Sequence, residues 1–280
     1  MTSASDVVFD GIDQSLRPSK DSLERLFTRA DEVANALMDS GLCVECRVVG
    51  SATRSTALSG YSDIDLIAIA DLKGGSRKDS QRAIADLEAA LTAANFTVET
   101  DKFAVSVKFD RPPAVDVMPA ICRDGGVGYL IPTGHDADWQ DFFPDRLKEL
   151  TERSMYRLGS RFGVVVRLLK LWNRSRGAGF KSSDLEELAS VALDGRDRAS
   201  SYSQHLMGVL ALALEWVSDS PGANAKMGRS FSSVGRDGWM LRIIQDSMAA
   251  ASEMQDAEDE LTARRLAEVF FGGEFAESVH

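Results

Sequence analysis

The sequence predicts an α+β protein with a mixed, twisted sheet in the first half of the chain and a helical second half. Short apolar runs of strand length lie between residues 42 and 118. From residue 145 onward, apolar residues recur at spacings of three and four, the period of a helix that buries one face. The 280 residues are enough for one large domain or for two packed lobes.

Apolar periodicity and turn residues place the elements in order along the chain. Residues 1–19 are polar, and the first predicted helix begins at Ser22 and ends at Gly41. The sequence predicts strands over residues 42–49, 63–70, 103–109 and 114–118. It predicts further helices over residues 77–94, 145–174, 182–192, 203–218 and 238–271.

Charge and cysteine content exclude several classes of function. The net charge is −11, so the chain as a whole repels nucleic acid and anionic membranes, and we expect no nucleic acid template and no membrane partner. The most apolar stretch, residues 205–217, is too short to span a bilayer, and the first residues lack the basic run of a signal peptide. Cys43 and Cys46 form a C-x-x-C motif without a second pair, which predicts free thiols in a cytoplasmic protein.

The most informative segment runs from residue 49 to residue 66. A predicted strand ends in Gly50-Ser51, and the next begins with Asp63 and Asp65, which share one face because strand side chains alternate. Two adjacent carboxylates repel each other unless a cation neutralises them, and their hard oxygens suit Mg²⁺ or Mn²⁺. Gly50 lets the backbone approach a phosphate closely, and Ser51 can donate its N–H and its hydroxyl to that phosphate.

Asp116 is the candidate for a third carboxylate. It lies alone within the apolar strand 114–118, where an unneutralised buried acid would cost on the order of several kcal/mol. We therefore predict that Asp63, Asp65 and Asp116 are catalytic and bind two Mg²⁺ or Mn²⁺ ions. One ion would acidify an attacking hydroxyl, and the other would hold a triphosphate and its leaving pyrophosphate.

This pattern resembles the nucleotidyltransferase superfamily related to DNA polymerase β. More narrowly, it resembles the bacterial cyclic GMP-AMP-synthase-like and dinucleotide-cyclase-like enzymes, the CD-NTases. The resemblance covers residues 22–192, and three downstream segments strengthen it: Tyr129–Pro132 with Trp139 and Phe143-Pro144, then Leu168–Asn173, then Lys181–Glu186. It implies a polymerase-β-like core with a catalytic lobe over residues 1–140 and a helical lobe over residues 141–280 that closes a nucleotide cleft. A helix over about residues 20–40 would span both lobes.

The resemblance also implies which residues bind nucleotide. Gly50, Ser51 and Ser62 would do so in the first lobe, and Lys170, Lys181 and Ser182 would contact phosphate in the second. Helix geometry agrees with the second set, because Ser182 is predicted at an N-cap, where free N–H groups favour an anion. Arg167, Lys170 and Arg174 share one face of their helix, for which the alternative is a solvated basic stripe.

Two positions depart from the family pattern. Many relatives have Gly-Thr where this chain has Ser55-Thr56, which predicts a less pliable loop over the phosphates. Relatives often place an aromatic residue after the phosphate-contacting serine, where this chain has Ser183. Either Tyr61 or Tyr202 stacks on the base instead, or base selection is looser; for Tyr61 the alternative is a packed turn residue.

The expected function is that of a nucleotidyltransferase that joins nucleoside triphosphates (ATP, GTP or others) into a cyclic di- or trinucleotide second messenger. Pyrophosphate would be released, and the resemblance implies antiphage (CBASS) signalling with a regulatory protein or effector encoded nearby. A first alternative is a related transferase with another acceptor, such as a linear oligonucleotide, a drug or a protein. A second is a nucleotide-binding regulator that has lost catalysis.

Overall fold

The computed structural model describes residues 3–70, 79–123, 125–134, 138–219, 224, 227 and 238–273. Its strands are β1 (Glu45–Val49), β2 (Ile64–Ile69), β3 (Thr97–Thr100), β4 (Val105–Lys108), β5 (Val115–Cys122), β6 (Tyr129–Pro132) and β7 (Trp139–Phe142). Its helices are α1 (Ala4–Leu16), α2 (Lys20–Asp39), α3 (Ser80–Ala93), α4 (Pro144–Leu158), α5 (Ser160–Arg176), α6 (Ser182–Ala192), α7 (Tyr202–Val217), α8 (Gly238–Gln255) and α9 (Glu260–Phe271).

The chain divides into two compact units. One comprises residues 18–148 and contains the sheet, and the other comprises residues 1–17 with 149–280 and is helical in its described part. The division falls within α4. The assignment of a catalytic lobe to residues 1–140 and of a closing lobe to 141–280 stays a prediction, as does the helix that spans both.

The sheet is mixed, as predicted. Its strand order is β1-β2-β5-β4-β3. In addition, β6 pairs with the C-terminal end of β5, and β7 pairs with β6. The strands β2 and β5 run parallel, whereas the other described pairs are antiparallel. The buried face of the sheet packs with α2 and α3 into one apolar core, whose fully buried members include Leu37, Ile64, Leu66, Leu87 and Leu91.

The helical unit is built around large aromatic side chains. Trp172 of α5 and Trp216 of α7 are fully buried. Phe9 of α1 packs edge-to-face on Phe270 and Phe271 of α9, with ring centroids 6.1 and 6.3 Å apart. Burial of such rings is a major source of stabilisation in helical packing, so α1 is part of this core rather than a polar leader.

The structure corrects several predicted elements. Residues 4–16, predicted as polar, form α1. The predicted helix 145–174 is two helices, because Gly159 adopts a left-handed φ of 63° that ends α4. The predicted helix 238–271 breaks between Gln255 and Glu260, where Asp259 caps α9. The sheet also contains β3, β6 and β7, which the apolar pattern did not predict because these strands have few buried residues.

Candidate active site

Gly50 and Asp65 are in direct contact at the end of β1. The backbone of Gly50 has φ 79° and ψ −167°, a conformation that essentially only glycine adopts. A Cβ atom at this position would lie 1.8 Å from Oδ2 of Asp65. The glycine is therefore required twice, once for its backbone conformation and once for the space that the Asp65 carboxylate occupies.

The segment between Gly50 and Asp63 is a tightly bonded loop. It begins with one turn of 3-10 helix over Ser51–Arg54, and the N–H of Thr56 donates to the carbonyl of Ser51 at 3.1 Å. At its other end the hydroxyl of Ser62 accepts from the N–H of Leu58 at 2.9 Å. Ser62, which was predicted to bind nucleotide, thus shapes the loop through this bond.

Asp63 and Asp65 flank a buried residue at the start of β2, as the alternation predicted. Ile64 and Leu66 are buried in the core, whereas Asp63 is exposed and Asp65 is half-buried. Oδ1 of Asp63 accepts from the N–H of Ala114 at 2.8 Å. This bond ties the start of β2 to the residue that precedes β5.

Asp116 is the register partner of Asp65 across the parallel pair β2 and β5. Paired residues on neighbouring strands point to the same face, about 5 Å apart. Burial raises the pKa of the Asp116 carboxyl, a hydrogen bond from Ser106 of β4 opposes this, and the negative charge of Asp63 raises it again. The structure therefore brings the three predicted carboxylates to the same end of the paired strands β2 and β5, where the charge of Asp63 acts on Asp116.

The donor set fits a hard divalent cation. Its ligands would be carboxylate oxygens, which Mg²⁺ and Mn²⁺ prefer, and Gly50 leaves room for the Asp65 carboxylate that a larger residue would displace. Within the described ranges, no group of three or more His, Cys, Asp or Glu side chains, the three aspartates included, is placed so that it could hold a metal ion. The site is thus an open cluster of carboxylates, and metal binding by Asp63, Asp65 and Asp116 stays a prediction.

Lys170 lies in the helical unit and is buried, with 5% of its side chain exposed. Its ammonium donates to Oε1 of Glu186 at 2.8 Å, and Glu186 is itself fully buried. Arg167 on the same face is buried too, and it donates to both carboxylate oxygens of Asp13, at 2.6 and 3.1 Å. The alternative of a solvated basic stripe is therefore wrong for Arg167 and for Lys170.

The N-cap of α6 differs from its prediction by one residue. Lys181, not Ser182, is the N-cap, and its side chain makes no capping bond. Ser182 is the first residue of the helix, and both side chains are exposed, as is that of Ser183. Because the first N–H groups of a helix lack partners within it, this start can receive an anion. Phosphate binding by Lys181 and Ser182 stays a prediction.

Tyr202 and His205 are buried and hydrogen-bonded, whereas Tyr61 is exposed. Tyr202 is buried and donates its hydroxyl to Asp10 at 2.8 Å, so it is not a free base-stacking platform. His205 is buried, and its Nε2 lies within hydrogen-bond distance of the carbonyl oxygen of Asp197, at 3.2 Å. Tyr61 is close to the carboxylates in the sequence, and 36% of it is exposed.

The sequence pattern did not reveal Ser106 or Glu186, because their partners lie on other elements and leave no local signal.

Comparison with known proteins identifies a sequence relative and similar solved structures. No protein-family model matches the chain. The chain is similar to the cyclic AMP-AMP-AMP synthase of Acinetobacter sp. (strain ATCC 27244 / 9458), with 28% identity over 184 residues. The match covers 64% of this chain and 51% of the relative, so the chain spans about half the length of that relative.

Solved structures match nearly the whole chain. CdnC of E. coli MS115-1 with ATP superposes with a TM-score of 0.77 at 16% identity, over 98% of this chain and 99% of that one. The same protein has also been solved in a complex with HORMA-deltaN. The CD-NTase CdnG of Bradyrhizobium diazoefficiens in complex with GTP superposes with a TM-score of 0.70 at 13% identity, over 96% and 99%.

The chain has the CD-NTase fold. The resemblance to CD-NTases and the polymerase-β-like α+β fold class inferred from the sequence are thereby confirmed. None of the described helices combines the length and the apolar character that crossing a bilayer requires.

Proposed function

We propose that the chain is a nucleotidyltransferase that joins nucleoside triphosphates into a cyclic oligonucleotide and releases pyrophosphate. The observation that carries this proposal is the carboxylate cluster of Asp63, Asp65 and Asp116 at one end of the paired strands β2 and β5, with Gly50 against Asp65. The similarity to a cyclic AMP-AMP-AMP synthase and the CD-NTase fold support it.

In this proposal, the exposed Asp63 and the half-buried Asp65 and Asp116 hold two divalent ions. Ions bound there supply positive charge that acidifies an attacking hydroxyl and neutralises a triphosphate. The backbone N–H groups that follow Gly50, in the single 3-10 turn Ser51–Arg54, bind phosphate oxygens. A ribose hydroxyl of one nucleotide forms a bond to the α-phosphorus of another, the bond to the β-phosphate oxygen breaks, and pyrophosphate leaves. A further transfer of the same kind closes the ring.

The test is product analysis with the purified chain. Labelled nucleoside triphosphates with Mg²⁺ or Mn²⁺ are incubated with it, treated with phosphatase, and separated for mass spectrometry. We expect a phosphatase-resistant cyclic product that falls at least about a thousandfold in Asp63→Asn/Asp65→Asn, since the loss of ion ligands removes most of the transition-state stabilisation. Asp110→Asn, an exposed acid in the same unit, is the matched control and should keep full activity.

Each other outcome has a definite meaning. Equal product from wild type and from Asp63→Asn/Asp65→Asn would remove the carboxylates from the reaction. A linear product, or label on a drug or protein, would favour the other-acceptor alternative. If neither protein makes product but wild type binds a non-hydrolysable triphosphate with metal, the chain either requires an activator or is a nucleotide-binding regulator that has lost catalysis. A protein partner is then the first to test, because CdnC forms a complex with HORMA-deltaN.

A further inference from the structure

Two thiols lie in contact where α2 turns into the sheet. Cys43 is in the turn that follows α2, and Cys46 is the second residue of β1. Their sulfur atoms are 3.4 Å apart, and both are free thiols. The two residues are only three apart in the chain, and the intervening Val44 is 60% exposed. The pair therefore lies next to the surface, at the edge of the core.

The environment distinguishes the two sulfurs. Cys43 is buried, whereas Cys46 is half-buried and also approaches the carbonyl of Ala34 at 3.9 Å. The hydrogen bond with Cys46 lowers the pKa of the Cys43 thiol, which burial opposes, and the same bond together with burial raises the pKa of Cys46. Cys43 thus loses its proton first, while Cys46 stays protonated and within reach.

We propose that Cys43 and Cys46 form a reversible intramolecular disulfide when the folded chain meets hydrogen peroxide. The Cys43 thiolate attacks one peroxide oxygen, the O–O bond breaks, and hydroxide leaves, so that Cys43 becomes a sulfenic acid. Cys46 loses its proton and attacks the Cys43 sulfur, the S–O bond breaks, and the oxygen departs as water. In sum, two thiols and one peroxide yield one disulfide and two waters.

Cys122 provides an internal reference. It is exposed on the last residue of β5 and is the only other cysteine of the chain. Exposure favours its oxidation, but the chain offers it no third thiol with which to form a disulfide once Cys43 and Cys46 are joined. A disulfide confined to the 43–46 pair would therefore reflect the fold rather than general reactivity.

The experiment follows both sites by peptide mass. The reduced full-length chain is exposed to hydrogen peroxide, quenched with catalase, alkylated under denaturing conditions and digested with trypsin. One peptide, residues 30–47, contains both Cys43 and Cys46, and another, residues 109–123, contains Cys122. We expect the first peptide to become lighter than its unalkylated form by two hydrogen atoms, and to regain two alkylatable thiols after treatment with dithiothreitol.

Two controls separate the proposal from general oxidation. In Cys46→Ser, Cys43 has no resolving thiol, so a dimedone adduct should accumulate on it instead of a disulfide. In urea, the 43–46 disulfide should form on the order of tenfold more slowly relative to oxidation of Cys122, because the fold no longer holds the sulfurs together. The proposal is overturned if the first peptide keeps two alkylated thiols after Cys122 is fully oxidised, or if urea leaves the relative rate unchanged. Neither result bears on nucleotidyl transfer.

Discussion

Charged groups are arranged in opposite ways in two regions of the molecule. One region is the carboxylate cluster of Asp63, Asp65 and Asp116, and the other is the face of α5 that carries Arg167 and Lys170. In the carboxylate cluster, Asp65 and Asp116 are register partners, and the charge of Asp63 raises the pKa of Asp116. On α5, Arg167 and Lys170 are buried, and each donates to a buried carboxylate. The first arrangement collects like charges, and the second places each cation against a buried carboxylate.

The difference indicates different roles. Like charges held side by side destabilise the fold, so the carboxylate cluster is arranged for a ligand of opposite charge rather than for stability. Buried pairs such as Lys170 with Glu186 are costly to break, because removal of one partner exposes the other to an apolar interior. We therefore expect catalysis at the carboxylates of Asp63, Asp65 and Asp116 and structural support from the ion pairs on α5, a contrast that the following experiments test.

The largest effect is expected at Lys170. We predict that Lys170→Met lowers the free energy of unfolding by about 3–5 kcal/mol, because the buried Glu186 loses its ammonium partner. Urea denaturation measures it, and Lys181→Met, at an exposed lysine of the same unit, should change stability by less than about 0.5 kcal/mol.

The double variant Lys170→Met/Glu186→Leu sharpens the assignment. Replacing both charges with apolar groups should restore most of the stability. Its Michaelis constant for nucleoside triphosphate then reports on phosphate binding alone. A stable Lys170→Met variant with a raised Michaelis constant would break the comparison, since Lys170 would then act as a phosphate ligand and not as a structural partner.

The next effect concerns Gly50. We predict that Gly50→Ala lowers product formation by about a hundredfold or more, because the new Cβ would overlap Oδ2 of Asp65 and displace that carboxylate. Gly60→Ala is the matched control, since Gly60 also has a positive φ of 74° but has no atom within 4 Å of the added Cβ. Both variants carry backbone strain, so equal losses of activity would show that strain, and not the contact with Asp65, is responsible.

At Asp116 we expect a change in stability that is smaller than that at Lys170 and opposite in sign. Burial and the charge of Asp63 raise its pKa, so the folded chain holds this proton to a higher pH than the unfolded chain does. Ionisation of Asp116 therefore costs stability at pH 7, and the cost disappears as the pH falls below the ordinary value of 3.8. We predict that Asp116→Asn abolishes activity yet stabilises the fold by up to about 1 kcal/mol at pH 7.

Thermal unfolding between pH 3.5 and pH 8 measures the Asp116→Asn effect. The stability difference from wild type should be largest at neutral pH and should shrink in acid. If the variant is less stable than wild type at pH 7, the carboxylate contributes a favourable contact to the fold, and the contrast with α5 fails at this residue.

The smallest effect is expected at Ser55, in the loop after Gly50. Ser55 has a φ of 56°, in the left-handed region that disfavours residues with a Cβ. We predict that Ser55→Gly is more stable than Ser55→Ala by about 0.5 kcal/mol, since both lose the hydroxyl and only glycine relieves the backbone. Calorimetry of the two variants measures the difference in stability. Equal stability would show that the backbone at this position is not strained.

Prediction from sequence succeeded where the signal is local. The alternation around Ile64 placed Asp63 and Asp65 outside the core, and the predicted helix 182–192 has the bounds of α6. Prediction missed α1, although Val8, Ile12 and Leu16 recur at helical spacing. The acids between them made the segment look polar. These acids are held by distant groups: Asp13 bonds Arg167, which lies 154 residues away in the chain.

The sequence by itself determined the fold class, the order of most strands and helices, and the three aspartates that are proposed to bind a divalent ion. These follow from side-chain periodicity and residue chemistry, which act over a few residues. Only the tertiary structure decided that Asp65 and Asp116 are register partners, that Gly50 makes room for Asp65, and that Lys170 is buried against Glu186. Each of these depends on which strand or helix lies beside another. That choice is made by packing of the whole core, and no local pattern records it.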